Sequence, residues 1–193
     1  MLCPPKPSPR VICKYLKQWE KKKKYREQED SLDLLFKQFP LNHDLKKVLF
    51  KTSVLNDFYR TNLPDRYLMA KHIVEIKNVD QRLQDGDATL IDDIADTQFK
   101  KGKKRREFSF ATKYCSRHFP KLFPVYDSNV RKMLLHYCSV NKKFSQFTDD
   151  QLRMGNAFKK IITWFITFYK LRDFSYRQVD RFLWLGGKKF FPQ

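Results

Sequence analysis

Glycine is scarce in this sequence, with 5 among 193 residues, and no stretch alternates apolar and polar residues long enough for a sheet. Both shortages argue against a strand-and-turn protein and agree with helices joined by short loops. No apolar run approaches the ~20 residues needed to cross a bilayer. The most apolar segment, IITWFITFY (161–169), is expected to be a buried helix flanked by lysines, and no membrane association is expected. The 4 cysteines show no CxxC spacing and no signal-peptide pattern opens the sequence, so reduced cytosolic thiols are expected. Acidic residues are few as well: 21 Asp and Glu stand against 40 Lys and Arg, a formal net charge of +19.

That excess exceeds what solubility requires and points first to a nucleic-acid partner, with an anionic membrane surface as the runner-up. Aromatics interleave with cations, as in KKFSQF and GGKKFF, which suits base stacking as well as core packing. The pair C-x2-H (Cys115, His118) and H-x-C (His136, Cys138) offers four potential zinc ligands, but the spacing matches no standard module, and no metal or cofactor is expected.

The class expected is all-α. Four prolines make residues 1–10 an extended arm, and residues 11–193 form one helical domain. A charged helix from Val11 is followed by one capped at Asp30 or Ser31 that runs to Pro40. Further helices are expected from near Asn42 to Arg60, from Pro64 at the first helical position, and around Leu90 to Ala95. After the basic loop KKGKKRRE come a helix from Phe108 to about His118, one started by Asp127, and two more, the last stopped by Gly186-Gly187.

In FPVYDSNVRKML (123–134) a carboxylate stands at a helix start, where it can cap the first turn or take part in chemistry. Residues 105–135 resemble the signature region of the helix-hairpin-helix (HhH-GPD) DNA glycosylases, in which a hairpin leads to a helix, a proline-bearing loop and a catalytic aspartate. FPVYDSNVRKML is similar to that family's F-P-V-D-T-H-V-x-x-x-L line with Tyr126 inserted, and Pro120 and Pro124 keep the family's proline spacing. VLFKTSVLNDFYRTNL stands where the family places an early helix that lines the base pocket.

The resemblance implies two small helical lobes with the active-site cleft between them and Asp127 as the catalytic carboxylate. It also implies a base pocket with Tyr126, Asn56, Tyr59 and Trp184 as candidates. Lys103, Lys104, Arg105 and Arg106 would replace the family's glycine hairpin in contacting phosphate, with Lys113 and Arg131 as further DNA contacts. Glu107 stands near the position of the nucleophilic lysine of bifunctional members, so a monofunctional enzyme is implied. The likeness is nearest to compact bacterial phage-defence members, which implies a monomer in the bacterial cytoplasm acting on double-stranded phage DNA bearing glucosylated 5-hydroxymethylcytosine.

Two other readings stay open. A non-catalytic nucleic-acid-binding module explains the charge without an active site. A metal-dependent nuclease is suggested by QDGDATLIDDIAD, with Asp85, Asp87, Asp92, Asp93 and Asp96, although turns and helix caps account for those residues too.

Overall fold

The computed structural model describes residues 3–100, 103–104, 106–144 and 146–192, with backbone alone for 100, 103 and 104. Among the described residues the helices are α1 (Pro9–Glu20), α2 (Lys23–Gln38), α3 (Leu45–Tyr59), α4 (Arg66–Glu75), α5 (Val79–Gln84), α6 (Thr89–Ala95), α7 (Phe108–His118), α8 (Ser128–Val140), α9 (Gly155–Phe168) and α10 (Tyr176–Phe190). The all-helical class expected from the sequence holds, with one small addition. Strands β1 (Gln98–Lys100) and β2 (Lys103–Lys104) form an antiparallel hairpin between α6 and α7, with Gln98 opposite Lys104. The chain divides into a central unit, residues 24–123, and a terminal unit, residues 1–23 and 124–193.

In the central unit, side-chain caps set the starts of α3 and α4. Asp44 starts α3 by accepting from the N–H groups of Lys46 and Lys47 at 2.9 and 3.4 Å. Asp65 starts α4 by accepting from Leu68 N at 3.0 Å, so Pro64 precedes the cap instead of occupying the first helical position. The expected boundary at Asp30 and Ser31 is absent. Ser31 Oγ donates back to the Glu27 carbonyl at 2.7 Å, a bond that a helix interior accommodates, and α2 runs through. Helix α5, not foreseen, is held by buried Val79 and Leu83. Helices α6 and α7 pack through Leu90, Ile91, Ile94, Phe110 and Ala111, all fully buried.

The terminal unit begins with a helix that reaches into the expected arm. Ser8 caps α1 and Pro9 is its first residue, where a missing N–H does no harm. The segment before it is docked, because Tyr137 donates its hydroxyl proton to the Pro5 carbonyl at 2.9 Å. Ile12, Tyr15 and Trp19, spaced to share one face, are buried as α1 packs on α10, with Tyr15 edge-on to Phe182 at 5.1 Å. Ser175 and Gln178 form a capping box at the start of α10.

Gly186 and Gly187 do not stop α10; they lie inside it. A Cβ on Gly187 would stand 2.4 Å from Asn129 Cβ, and one on Gly186 2.6 Å from Met133 Cε. The pair is there because α8 crosses α10 at that point. Phe144, Phe165, Tyr169 and Tyr137 form the aromatic core, with Phe165 and Tyr169 ring centroids 4.9 Å apart and Phe144 and Phe165 5.6 Å apart.

Candidate functional site

The FPVYD segment carries the chain from the central into the terminal unit and ends on Asp127, whose backbone is extended. Tyr126 points inward, 8% exposed, edge-on to Phe158 at 5.6 Å. Burial raises its hydroxyl pKa against a hydrogen bond from Arg153. Tyr126 therefore anchors the segment in the core of the terminal unit, and the residue inserted into the glycosylase-like line has a packing role. Asp127 next to it is partly exposed and caps α8: its Oδ1 accepts from Asn129 N at 2.8 Å. The Asp127 carboxylate stands at the positive end of the α8 dipole. Asn129 in turn touches Gly187, so the crossing of α8 and α10 holds the first turn that Asp127 caps.

Arg131, expected on phosphate, holds Asp149 with two hydrogen bonds, Nε to Oδ1 at 2.6 Å and Nη2 to Oδ2. Those bonds lower the Asp149 pKa. Trp184, expected in the base pocket, lies edge-on to Trp19 at 5.7 Å, and the Lys188 ammonium sits over its ring at 3.9 Å.

The other expected residues belong to the central unit, where several have structural work. Asn56 is buried, and its Oδ1 accepts from Thr61 Oγ1 at 2.8 Å and Leu63 N at 2.9 Å, which fastens the turn after α3. The Tyr59 hydroxyl accepts from Arg117 Nε at 3.1 Å and from Nη2. Lys113, expected to contact DNA, is buried instead, with Nζ donating to Ser109 Oγ at 2.5 Å and lying over the Tyr59 ring. Arg106 pairs with Asp92, and with Asp96 at 3.1 Å, and stacks on Phe108. The side chains of Lys103 and Lys104, and the whole of Arg105, lie outside the described residues.

The acidic segment is held by arginines. Arg82 bonds Asp87 at 2.7 Å and Asp93 at 2.6 Å, while Arg106 takes Asp92 and Asp96. Cys115 and His118 belong to α7 of the central unit, His136 and Cys138 to α8 of the terminal unit. Among the described residues no three His, Cys, Asp or Glu side chains could hold a metal ion.

Two buried polar centres escaped the sequence reading. Lys51 is fully buried, with Nζ 3.0 Å from the Phe39 carbonyl, 3.1 Å from that of Leu41, 2.7 Å from Asn42 Oδ1 and 3.2 Å from His118 Nε2. Asp80 holds Asn42 through its backbone N–H at 3.1 Å and its Nδ2 at 2.6 Å. Arg117 is also buried, bonded to Asp33 at 2.7 Å and Glu29 at 3.1 Å. Burial works against its charge, but Tyr59, Glu29 and Asp33 together raise its pKa above the usual value. The readable signal was position: Lys51 lies between Val48 and Leu55 on the apolar stripe of α3.

A family model, HI_0787_N, described as an N-terminal domain, matches residues 11–122, from α1 to just past α7. A Haemophilus influenzae protein bearing the name "Uncharacterized protein" is 38% identical over 149 residues, which are 77% of this chain and 70% of the relative. No solved structure matches the chain. The matched domain ends where the chain leaves the central unit, so the family's N-terminal domain takes in α1 from Val11 onward and the central unit to residue 122. The chain belongs to the family whose N-terminal domain is described by the HI_0787_N model.

Proposed function

We propose that the protein is a monofunctional DNA glycosylase of the helix-hairpin-helix type, with Asp127 as its catalytic carboxylate. The observation that carries this reading is the order of elements before Asp127. Helix α6, the β1–β2 hairpin and α7 are followed by a proline-bearing connection, and the carboxylate then stands at the first turn of α8. Breaking an N-glycosidic bond builds positive charge on the sugar. A carboxylate at a helix start, fixed by Asn129 N–H and by the buried neighbour Tyr126, is suited to stabilise that charge and to orient a water. The target base would have to leave the duplex to be reached. Glu107 before α7, where bifunctional members carry lysine, supports hydrolysis without strand cleavage. Glucosylated 5-hydroxymethylcytosine in phage DNA is the substrate implied by the resemblance.

The capping bond of Asp127 favours a second reading, a DNA-binding module in which that residue is only a cap. Asp127→Asn separates the two, because Asn caps a helix as well as Asp does. Wild type and Asp127→Asn, in EDTA, are incubated with duplex bearing glucosylated 5-hydroxymethylcytosine and with duplexes carrying common lesions. Alkali-labile sites formed by wild type and lost in a folded, DNA-binding Asp127→Asn are expected. DNA binding without such sites in wild type would leave the binding module.

A further inference from the structure

The positive charge is unevenly distributed. The central unit carries 20 Lys and Arg against 15 Asp and Glu, the terminal unit 20 against 6, so 14 of the 19 net charges belong to the terminal unit. Within the central unit, Lys51, Lys113 and Arg117 are buried and Arg82 and Arg106 are paired with aspartates. Two helices of the terminal unit order their cations in stripes. On α1 and its C-cap, Arg10, Lys14, Lys17 and Lys21 recur at the spacing of a single helical face, opposite buried Ile12, Tyr15 and Trp19, and all four are exposed. On α10, half-buried Arg177, Arg181 and Trp184 and exposed Lys188 share another face, opposite buried Val179, Phe182 and Gly186. Where the helices meet, Arg181 stacks over Trp19 at 5.0 Å and Lys188 over Trp184 at 3.9 Å.

We infer that the cationic stripes of α1 and α10 form a docking surface for the phosphate backbone of double-stranded DNA. Stacking on indole holds a guanidinium and an ammonium in fixed positions, which lessens the ordering cost of meeting a phosphate. The α1 stripe is about 16 Å long at ~1.5 Å per residue. It spans about five phosphates of one strand at ~3.4 Å each. A lipid surface is the poorer fit, because an interfacial helix inserts an apolar face and the apolar faces of α1 and α10 are buried in the core. The inference shares the DNA partner of the glycosylase reading but does not depend on Asp127.

The test is anisotropy of a labelled duplex between about 50 and 200 mM NaCl, with circular dichroism melts as a folding control. Two triple variants are compared, Lys14→Gln/Lys17→Gln/Lys21→Gln on exposed α1 positions and Arg177→Gln/Arg181→Gln/Lys188→Gln on α10. Each is expected to flatten the slope of log affinity against log salt by ~0.9 per lost phosphate contact, about 2.7 at most. Unchanged slopes in both triples, with a flattened slope on neutralising Lys103, Lys104, Arg105 and Arg106, would overturn the inference and leave the glycosylase reading standing. Flattened slopes without alkali-labile sites from wild type would do the reverse. Wild type that binds phosphatidylserine vesicles but not duplex would overturn the docking surface.

Discussion

Lys51 shows how one residue can organise a connection. Its ammonium gathers the carbonyls of Phe39 and Leu41 and the Asn42 side chain, so the link between α2 and α3 closes around a buried cation. Tyr114 donates to the same Asn42 oxygen at 2.5 Å, and Asp80 fixes the opposite end of Asn42. Burial pushes the Lys51 pKa down to about 7 while the Asp80 charge pulls it up. Burial and the Lys51 charge also push His118 well below its usual value. An unfolded lysine titrates near ~10.4, so between about pH 7 and 10 the unfolded chain holds a proton that the folded chain has released. Stability should therefore rise with pH across that window, and below it the full cost of the buried charge is present. The expected result is a urea midpoint that climbs from pH 7 to 9 in wild type, followed by far-UV circular dichroism. In Lys51→Met the climb should vanish, and stability should fall by about 2–4 kcal/mol because several buried acceptors lose their donor. A variant that kept the climb would assign the proton to another group.

At the scale of elements, the crossing of α8 and α10 gives a prediction whose sign is informative. Alanine is a better helix former than glycine by ~1 kcal/mol, so Gly187→Ala would stabilise α10 if the helices were apart. With Asn129 Cβ 2.4 Å from the added methyl and its carbonyl 2.6 Å away, the substitution should instead cost about 1–3 kcal/mol, read as a lower melting temperature. A neutral or stabilised variant would mean that the helices can part. This contact also shows where sequence reading stops. The end of α7 and the start of α8 were legible because an adjacent proline announces the one and a cap the other. The glycine pair read as a helix stop because its reason, the close approach of Asn129 and Met133, lies some 55 residues away along the chain. The α2 boundary misled in the opposite way, since Ser31 has the chemistry of a cap and uses it inside a helix. At the candidate site the sequence located Asp127 correctly as the residue that starts α8. It could not tell that Tyr59 is occupied in the core, because its partner Arg117 lies 58 residues away along the chain; Asn56 and Lys113 bond to the nearby Leu63 and Ser109, and what stayed hidden was their burial.

On the scale of the whole molecule, the uneven charge should govern how the fold responds to salt. Fourteen net positive charges on the terminal unit repel one another with little acidic charge to offset them, whereas the central unit is nearer balance. Salt screens that repulsion, since the Debye length falls from ~30 Å at 0.01 M to ~10 Å at 0.1 M. Screening also weakens attractive pairs such as Arg131–Asp149, but a partly exposed pair contributes at most ~1 kcal/mol and is outnumbered. All three tryptophans, Trp19, Trp164 and Trp184, belong to the terminal unit, so their emission reports on that unit alone. The tryptophan-detected melting temperature should therefore rise by several degrees between about 0.01 and 0.3 M NaCl, with ~1 kcal/mol corresponding to roughly 2–4 °C for a chain of this size. Lys14→Gln/Lys17→Gln/Lys21→Gln should begin from a higher melting temperature at low salt and gain less from added salt. A wild-type melting temperature that stayed level or fell would mean that the cations of the terminal unit are already compensated within the fold, and the repulsion argument would fail with it.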